Sequence, residues 1–311
     1  MSQLVLAFLF GRRGIDLGTQ KIVCLFGNGA ITMKKRYKIL PLLGIVVLSS
    51  CAKIYGQEIT SDKARVAELG KGISEKMNEK TGFEAHIVGY MGSSYNDKEA
   101  ARRDTNYSWD VYYHGDDQGN ISLAGGMSVK SGEEKRDLSF NLFQVNDPEY
   151  GEVDYTEYFY PGDPGYKQIE VHYANESNEA GYMDELSGIV AFPVAFFEEA
   201  RFPYYLGDEV TTEYGTVTVP PRKFYSNGDG NLTIEMSNTE EGESNSSSYT
   251  RITYDNYVLK DAVFENTKEN TSYTQTENFE IKYKVLPIYK IALPDDWKDH
   301  IGERTTSSMV S

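Results

Sequence analysis

The sequence predicts an α+β fold that is mostly β: one large curved antiparallel sheet, an open half-barrel, with an N-terminal helix and a mid-chain helical insertion. Three observations predict it. Val66, Leu69, Ile73 and Met77 recur at spacings of three, four and four, the stripe of one amphipathic helix. From Phe83 the period shortens to two, and alternating segments fill most of the remaining chain. The alternation stops once, over Asp184 to Gly207, "DELSGIVAFPVAFFEEARFPYYLG", the most aromatic and apolar stretch of the body.

The helix has a start signal. Ser61 and Asp62 offer an N-cap and a first-turn acid, and Gly82 is expected to close a helix of about 19 residues as its C-cap. "FEAHIVGYM" then reads as a strand. "YSWDVYYH" and "NISLAGGMSV" flank the hairpin loop Gly115 to Gly119. "RDLSFNLFQV" puts Leu138, Phe140 and Leu142 on one face, and "VDYTEYFY" and "KQIEVHYA" flank the turn-rich Pro161 to Gly165.

In the apolar insertion, Asp184 can cap a helix through Ala191. Pro193 would break a helix from inside but suits the first turn of a new one. Two short helical pieces hinged at Phe192-Pro193 are therefore expected. Strands resume as "GTVTVP", "NLTIEMS", "SYTRITYD", "YVLKDAVFEN" and "ENFEIKYKV", the last with Phe279, Ile281, Tyr283 and Val285 on one face. Asn238 to Ser248, rich in Glu, Ser and Asn, reads as a solvent loop. The total is ten to twelve strands in one domain, and a sheet of that length must curl or split.

Charge and cysteines bound the function. The chain holds 31 basic and 47 acidic residues in 311, a net charge of −16. Seven of the basic residues and one acid, Asp16, lie before position 51, which leaves the rest at −22. Such a body repels phosphate backbones, so no nucleic-acid partner is expected. Both cysteines, Cys24 and Cys51, precede the body. Disulfides, thiolate metal sites and a cysteine nucleophile are excluded from it.

The chain's strongly apolar run explains where the body begins. Met33 is followed by Lys34, Lys35, Arg36, Tyr37 and Lys38, then by ten residues from Ile39 to Leu48, then by Ser49, Ser50 and Cys51. Ten helical residues reach about 15 Å, half of a hydrocarbon core of about 30 Å. The run is too short to span, and its order is that of a signal peptide: charged, apolar, small.

Leu48-Ser49-Ser50-Cys51 resembles a bacterial lipobox. The resemblance implies that Leu48, Ser49 and Ser50 are read by a signal peptidase and that Cys51 becomes the first mature residue. Its sulfur would carry a diacylglyceryl anchor on the extracytoplasmic face of the cell membrane, or of the outer membrane if the organism has one. The alternative is a non-lipidated secretory signal. The expected divisions are then residues 1–32, an upstream start called too early or an unusually long n-region; 33–50, signal peptide; 51–60, tether; 61–300, the curved-sheet domain, a monomer; and 301–311, a frayed tail.

The order of elements, one long helix, a meander, an apolar helical insertion, more strands and a final "YKIALPDDW" (Tyr289 to Trp297), resembles the LolA/LolB-like lipoprotein carrier superfamily. That resemblance implies a half-barrel around an apolar cavity, lidded by a helical segment, that takes an acyl chain or lipid. Phe192, Phe196, Phe197, Phe202, Tyr204 and Tyr205 would then line the ligand site; otherwise they fill a core. The alternative function is a surface lipoprotein with a filled core that binds a protein or cell-wall partner.

No motif asks for a cofactor, a metal or a catalytic role. His86, His114, His172 and His300 have no metal-ligand spacing, although His114 and His172 both lie near strand ends and could meet in space. "GDDQGN" (Gly115 to Asn120) and "NGDGN" (Asn227 to Asn231) recur in the style of calcium loops but lack the required spacing, and read as turns. A non-enzymatic protein is expected.

Overall fold

The computed structural model describes residues 55–302 apart from 96–103, 160–166, 174–183, 202–205, 207–208, 213–214, 220, 243 and 288, and the backbone alone for 184–191, 209–212 and 215–218. The lipobox residues Leu48, Ser49, Ser50 and Cys51 lie outside the described residues, as do Phe202, Tyr204 and Tyr205.

Helix α1 (Lys63–Met77) forms where the apolar stripe demands it. Asp62 caps it, its Oδ1 accepting from the Arg65 amide at 3.0 Å. Val66, Leu69, Ile73 and Met77 are all buried. The helix stops at Met77 with Asn78 as its C-cap, so the expected cap at Gly82 is corrected. Gly82 instead opens strand β2 (Gly82–Tyr95) at a crowded crossing, where a Cβ would stand 3.0 Å from the Tyr289 Cβ.

The first meander continues through β3 (Thr105–Gly115), β4 (Ile121–Ser131), β5 (Glu134–Asp147), β6 (Gly151–Phe159) and β7 (Lys167–Tyr173). Helix α2 (Asp184–Arg201) and a small hairpin of β8 (Glu209–Thr212) and β9 (Gly215–Thr218) follow. The second meander is β10 (Arg222–Ser226), β11 (Leu232–Glu240), β12 (Ser244–Asp255), β13 (Val258–Asn270) and β14 (Tyr273–Leu286). The last strand closes on the first long one: β14 pairs with β2 from Tyr273↔Tyr95 to Leu286↔Gly82.

A two-residue β1 (Gln57–Glu58) joins the far edge beside β10, so the chain is docked before the point where a tether was expected to end. The result is one open antiparallel sheet of twelve strands, ordered β1-β10-β11-β12-β13-β14-β2-β3-β4-β5-β6-β7.

Two further expectations are corrected. Helix α2 is continuous through Pro193 rather than two hinged pieces. Proline inside a helix costs about 3 kcal/mol, but each buried phenylalanine returns about 1.5–3 kcal/mol, and α2 buries Phe196 and Phe197 and packs Phe192. Packing on the sheet outweighs the local rule. The segment 238–248 is not a loop: β11 and β12 stay paired to Glu240↔Ser246. Its serines, threonine and asparagine suit a ladder that meets water on both faces.

The face carrying α1 and α2 holds the main core, including Ile87, Val111, Ile234, Ile252, Phe279 and Ile281. We call it the inner face. At β5 the apolar side changes over. Leu138 and Phe140 are buried inward, while Val145 and Phe143 belong to the opposite parity. On β6 and β7 the outward residues Val153, Tyr155 and Val171 are buried, under Trp297, Leu293 and Ile301 of the C-terminal segment. Ile301, expected in a frayed tail, packs there.

Asp116 staples that segment down. Its carboxylate accepts from the amides of Gln118 and Asn120 (2.9 Å each), from Asn120 Nδ2 (2.8 Å) and from the Ile291 amide (3.2 Å). Burial raises its pKa, but the hydrogen bonds from Asn120, Ile291 and Gln118 outweigh that and hold the carboxyl below its ordinary range. The turn "GDDQGN" is thus a structural clasp.

Candidate functional site

Three neighbouring strands build an aromatic bed on the inner face. The register row Phe279↔Gly89↔Trp109 crosses β14, β2 and β3. Gly89 is the reason the rings meet: a Cβ there would lie 2.3 Å from the Phe279 ring. With no side chain between them, Trp109 and Phe279 approach to 5.7 Å between centroids.

Helix α2 lays its phenylalanines on this bed. Phe196 stacks on Phe279 at 4.2 Å and 18°, and meets Phe264 at 5.0 Å. Phe192 stacks beside Trp109 at 6.0 Å and 19°. Phe197 meets Tyr113 edge-on at 5.1 Å and Phe83 at 5.6 Å. Of the six aromatics expected to line a ligand site, these three therefore come together in one cluster. Phe83, Trp109, Tyr113 and Phe264, which the sequence reading did not select, complete it. Strand alternation alone could have put each on a buried face; only the register brings them to one place.

Trp109 stands out chemically. It is 2% exposed, and its Nε1–H makes no hydrogen bond among the described residues. A buried donor without an acceptor costs about 1–3 kcal/mol. Every ring contact around it, to Tyr107, Phe192 and Phe279, is apolar.

The C-terminal end of α2 is held differently. Tyr254 donates to the Ala200 carbonyl at 2.8 Å. Arg201 lies 4.2 Å from the Phe83 ring centroid and 3.8 Å from Glu198. Burial raises the Glu198 pKa, and Arg201 and Tyr113 offset it only in part. The helix is thus fixed by stacked rings in its second half and by a polar clamp at its end.

The histidines do not form a site. His86 pairs with Asp110 at 2.8 Å and stacks on Tyr112, and His114 pairs with Glu84 at 3.0 Å. His172 lies on β7, with β4, β5 and β6 between it and His114, so the two do not meet. Asp229 of "NGDGN" is bound to Arg65. Among the described residues no group of three or more His, Cys, Asp or Glu could hold a metal, and no helix is long and apolar enough to cross a membrane.

Fold and site together define an α+β protein built on one large open sheet whose inner face carries a helix-capped aromatic bed. No family model and no curated protein matches the chain. Among solved structures it is similar to a DUF1329 family protein from Desulfovibrio piger, with 11% identity and a TM-score of 0.21, over 76% of this chain and 97% of that one. At that score the likeness transfers neither ligand nor role.

Proposed function

We propose that the protein is an extracytoplasmic lipoprotein, anchored to the membrane through a diacylglyceryl group on Cys51, that binds or carries an acyl chain or lipid. The ligand lies on the inner aromatic bed, and α2 is the wall that moves to admit it. The carrying observation is the buried Trp109 Nε1–H, a donor without an acceptor among the described residues, set in an otherwise apolar face. An apolar ligand with one carbonyl or hydroxyl oxygen would satisfy it while leaving the rest of the face dry. The order of elements shared with LolA/LolB-like carriers supports the same reading. The protein acts as a monomer, without catalysis and without nucleic acid.

A second reading has its own observation. Phe196 stacks on Phe279 at 4.2 Å, so α2 already fills the bed. On that reading the protein is a surface lipoprotein with a filled core that binds a protein or cell-wall partner.

Native mass spectrometry and solvent extraction of the purified full-length chain separate the two. Stoichiometric acyl chain or lipid, beyond the anchor itself, supports the carrier. A ligand-free protein that also fails to bind a fluorescent fatty acid supports the filled core. The anchor is tested apart: Cys51→Ser should move the protein from the membrane fraction to the soluble one.

A further inference from the structure

The outer face of the other half of the sheet carries a polar pocket, apart from the aromatic bed. Two adjacent register rows build it. One runs Tyr225↔Thr233↔Thr253↔Asp261 across β10 to β13, and the other runs Lys223↔Glu235↔Arg251↔Val263. Tyr55 leans over them from the segment before β1, its ring 6.2 Å from that of Tyr225. The open pocket between them has a volume of about 360 Å³.

The backbone departs from regularity at this spot. Thr253 pairs with Asp261 but Tyr254 pairs with Leu259, so Lys260 is the extra residue of a β-bulge. The bulge sends both Lys260 and Asp261 toward the pocket, which a regular strand cannot do with consecutive residues. The adjoining turn puts Asn256 and Tyr257 at φ 53° and 64°, a left-handed conformation costly for a bulky side chain. Irregularities of this kind collect where a side chain must be re-aimed.

The pocket's chemistry narrows the ligand. Arg251 and Lys260 face Asp255 and Asp261, so the charges balance. Both ion pairs are long: Arg251 to Asp261 at 3.5 Å and Lys260 to Asp255 at 3.7 Å. Of the five N–H bonds of Arg251, one goes to Tyr55 Oη at 3.1 Å and one to Asp261, and Nε has no acceptor among the described residues. An anion would meet two carboxylates and a cation two positive groups. An apolar ligand would strand all four charges. A hydroxyl, which both donates and accepts, can bridge any of these pairs, and the tyrosine rings offer flat walls for C–H faces.

We infer that this outer-face pocket is a binding site for a neutral saccharide, with Arg251, Lys260, Asp255 and Asp261 engaging ring hydroxyls and Tyr55 and Tyr225 stacking on the ring. The volume lies at the small end for ligand sites and suits one or two sugar rings.

Saturation-transfer NMR on the full-length chain tests it, with glucose, galactose, N-acetylglucosamine, cellobiose and chitobiose as probes at about 10 mM. At least one should bind. Its affinity should fall about tenfold or more in Asp255→Asn and in Lys260→Met, each a loss of about one hydrogen bond or more. Both substitutions are partly or largely exposed, so the unfolding temperature should hold. No signal from any of the five sugars, or a signal that both variants leave intact, would overturn the inference.

Discussion

The middle of the sheet and its β5–β7 end bury opposite faces. In the middle, α1 and α2 cover the inner side, and the core there contains Phe196, Phe279, Ile87 and Ile281. At the end, Trp297 and its neighbours cover the outer side, over Val153, Tyr155 and Val171. Strand β5 belongs to both, since Leu138 and Phe140 face one way and Val145 the other. The difference separates two tasks. The outer cluster is closed by a segment stapled at Asp116, whereas the inner bed is closed by a helix resting on rings. One cover is fixed by charged hydrogen bonds to a single carboxylate, and the other rests on ring stacking with a polar clamp at one end.

The largest expected effect breaks the inner region. Phe196→Ala should cost about 3–5 kcal/mol, because the ring is buried against Phe264 and Phe279 and the cavity cannot collapse against a paired sheet. Chemical denaturation measures it. Trp297→Ala should cost about 3 kcal/mol but act locally. Hydrogen exchange should rise in β6, β7 and the C-terminal segment while β2 and β14 stay protected. Equal loss of protection in both regions would mean that the two cores are one.

Asp116 gives the next effect, and its sign follows from its lowered pKa. The stabilisation is present above the unfolded carboxyl pKa and is lost as pH falls through the lower folded value. Asp116→Ala should therefore destabilise the wild type's outer cluster by about 1.5–3 kcal/mol at neutral pH, and the two proteins should converge in acid. Glu198 carries the smallest effect and the opposite sign. Its pKa is raised, so the folded state favours the protonated form, and that contribution fades as pH rises through the folded value. Glu198→Gln should leave stability at pH 7 unchanged or slightly higher, and should flatten its dependence on pH. Melting curves over a pH series check both.

The inner region's helix and most strands were readable from the sequence, whereas the second, outer cover was not expected. The three-four-four spacing with Asp62 defines α1, and alternation defines most strands. Even the change of face is written in β5, where Leu142 and Phe143 are apolar in succession and break the period of two. What was not readable is long-range. Pro193 signals a break by a local rule, and only the aromatic bed beneath it overrides that rule. The bed itself depends on Phe279 meeting Trp109 across Gly89, a contact set by pairing Phe279 with a glycine 190 positions earlier in the chain. The stretch from Asn238 to Ser248 has the composition of a loop because its strands are wet on both sides. The bulge at Lys260 leaves no sequence signature at all.

The two regions also supply their own reporters, since the chain's two tryptophans, Trp109 and Trp297, lie one in each. Titrating a brominated fatty acid into Trp297→Phe, which leaves Trp109, and into Trp109→Phe, which leaves Trp297, tests the carrier reading directly. A ligand on the inner bed should quench Trp109 saturably and leave Trp297 bright. Equal quenching of both, or none at Trp109, would contradict it.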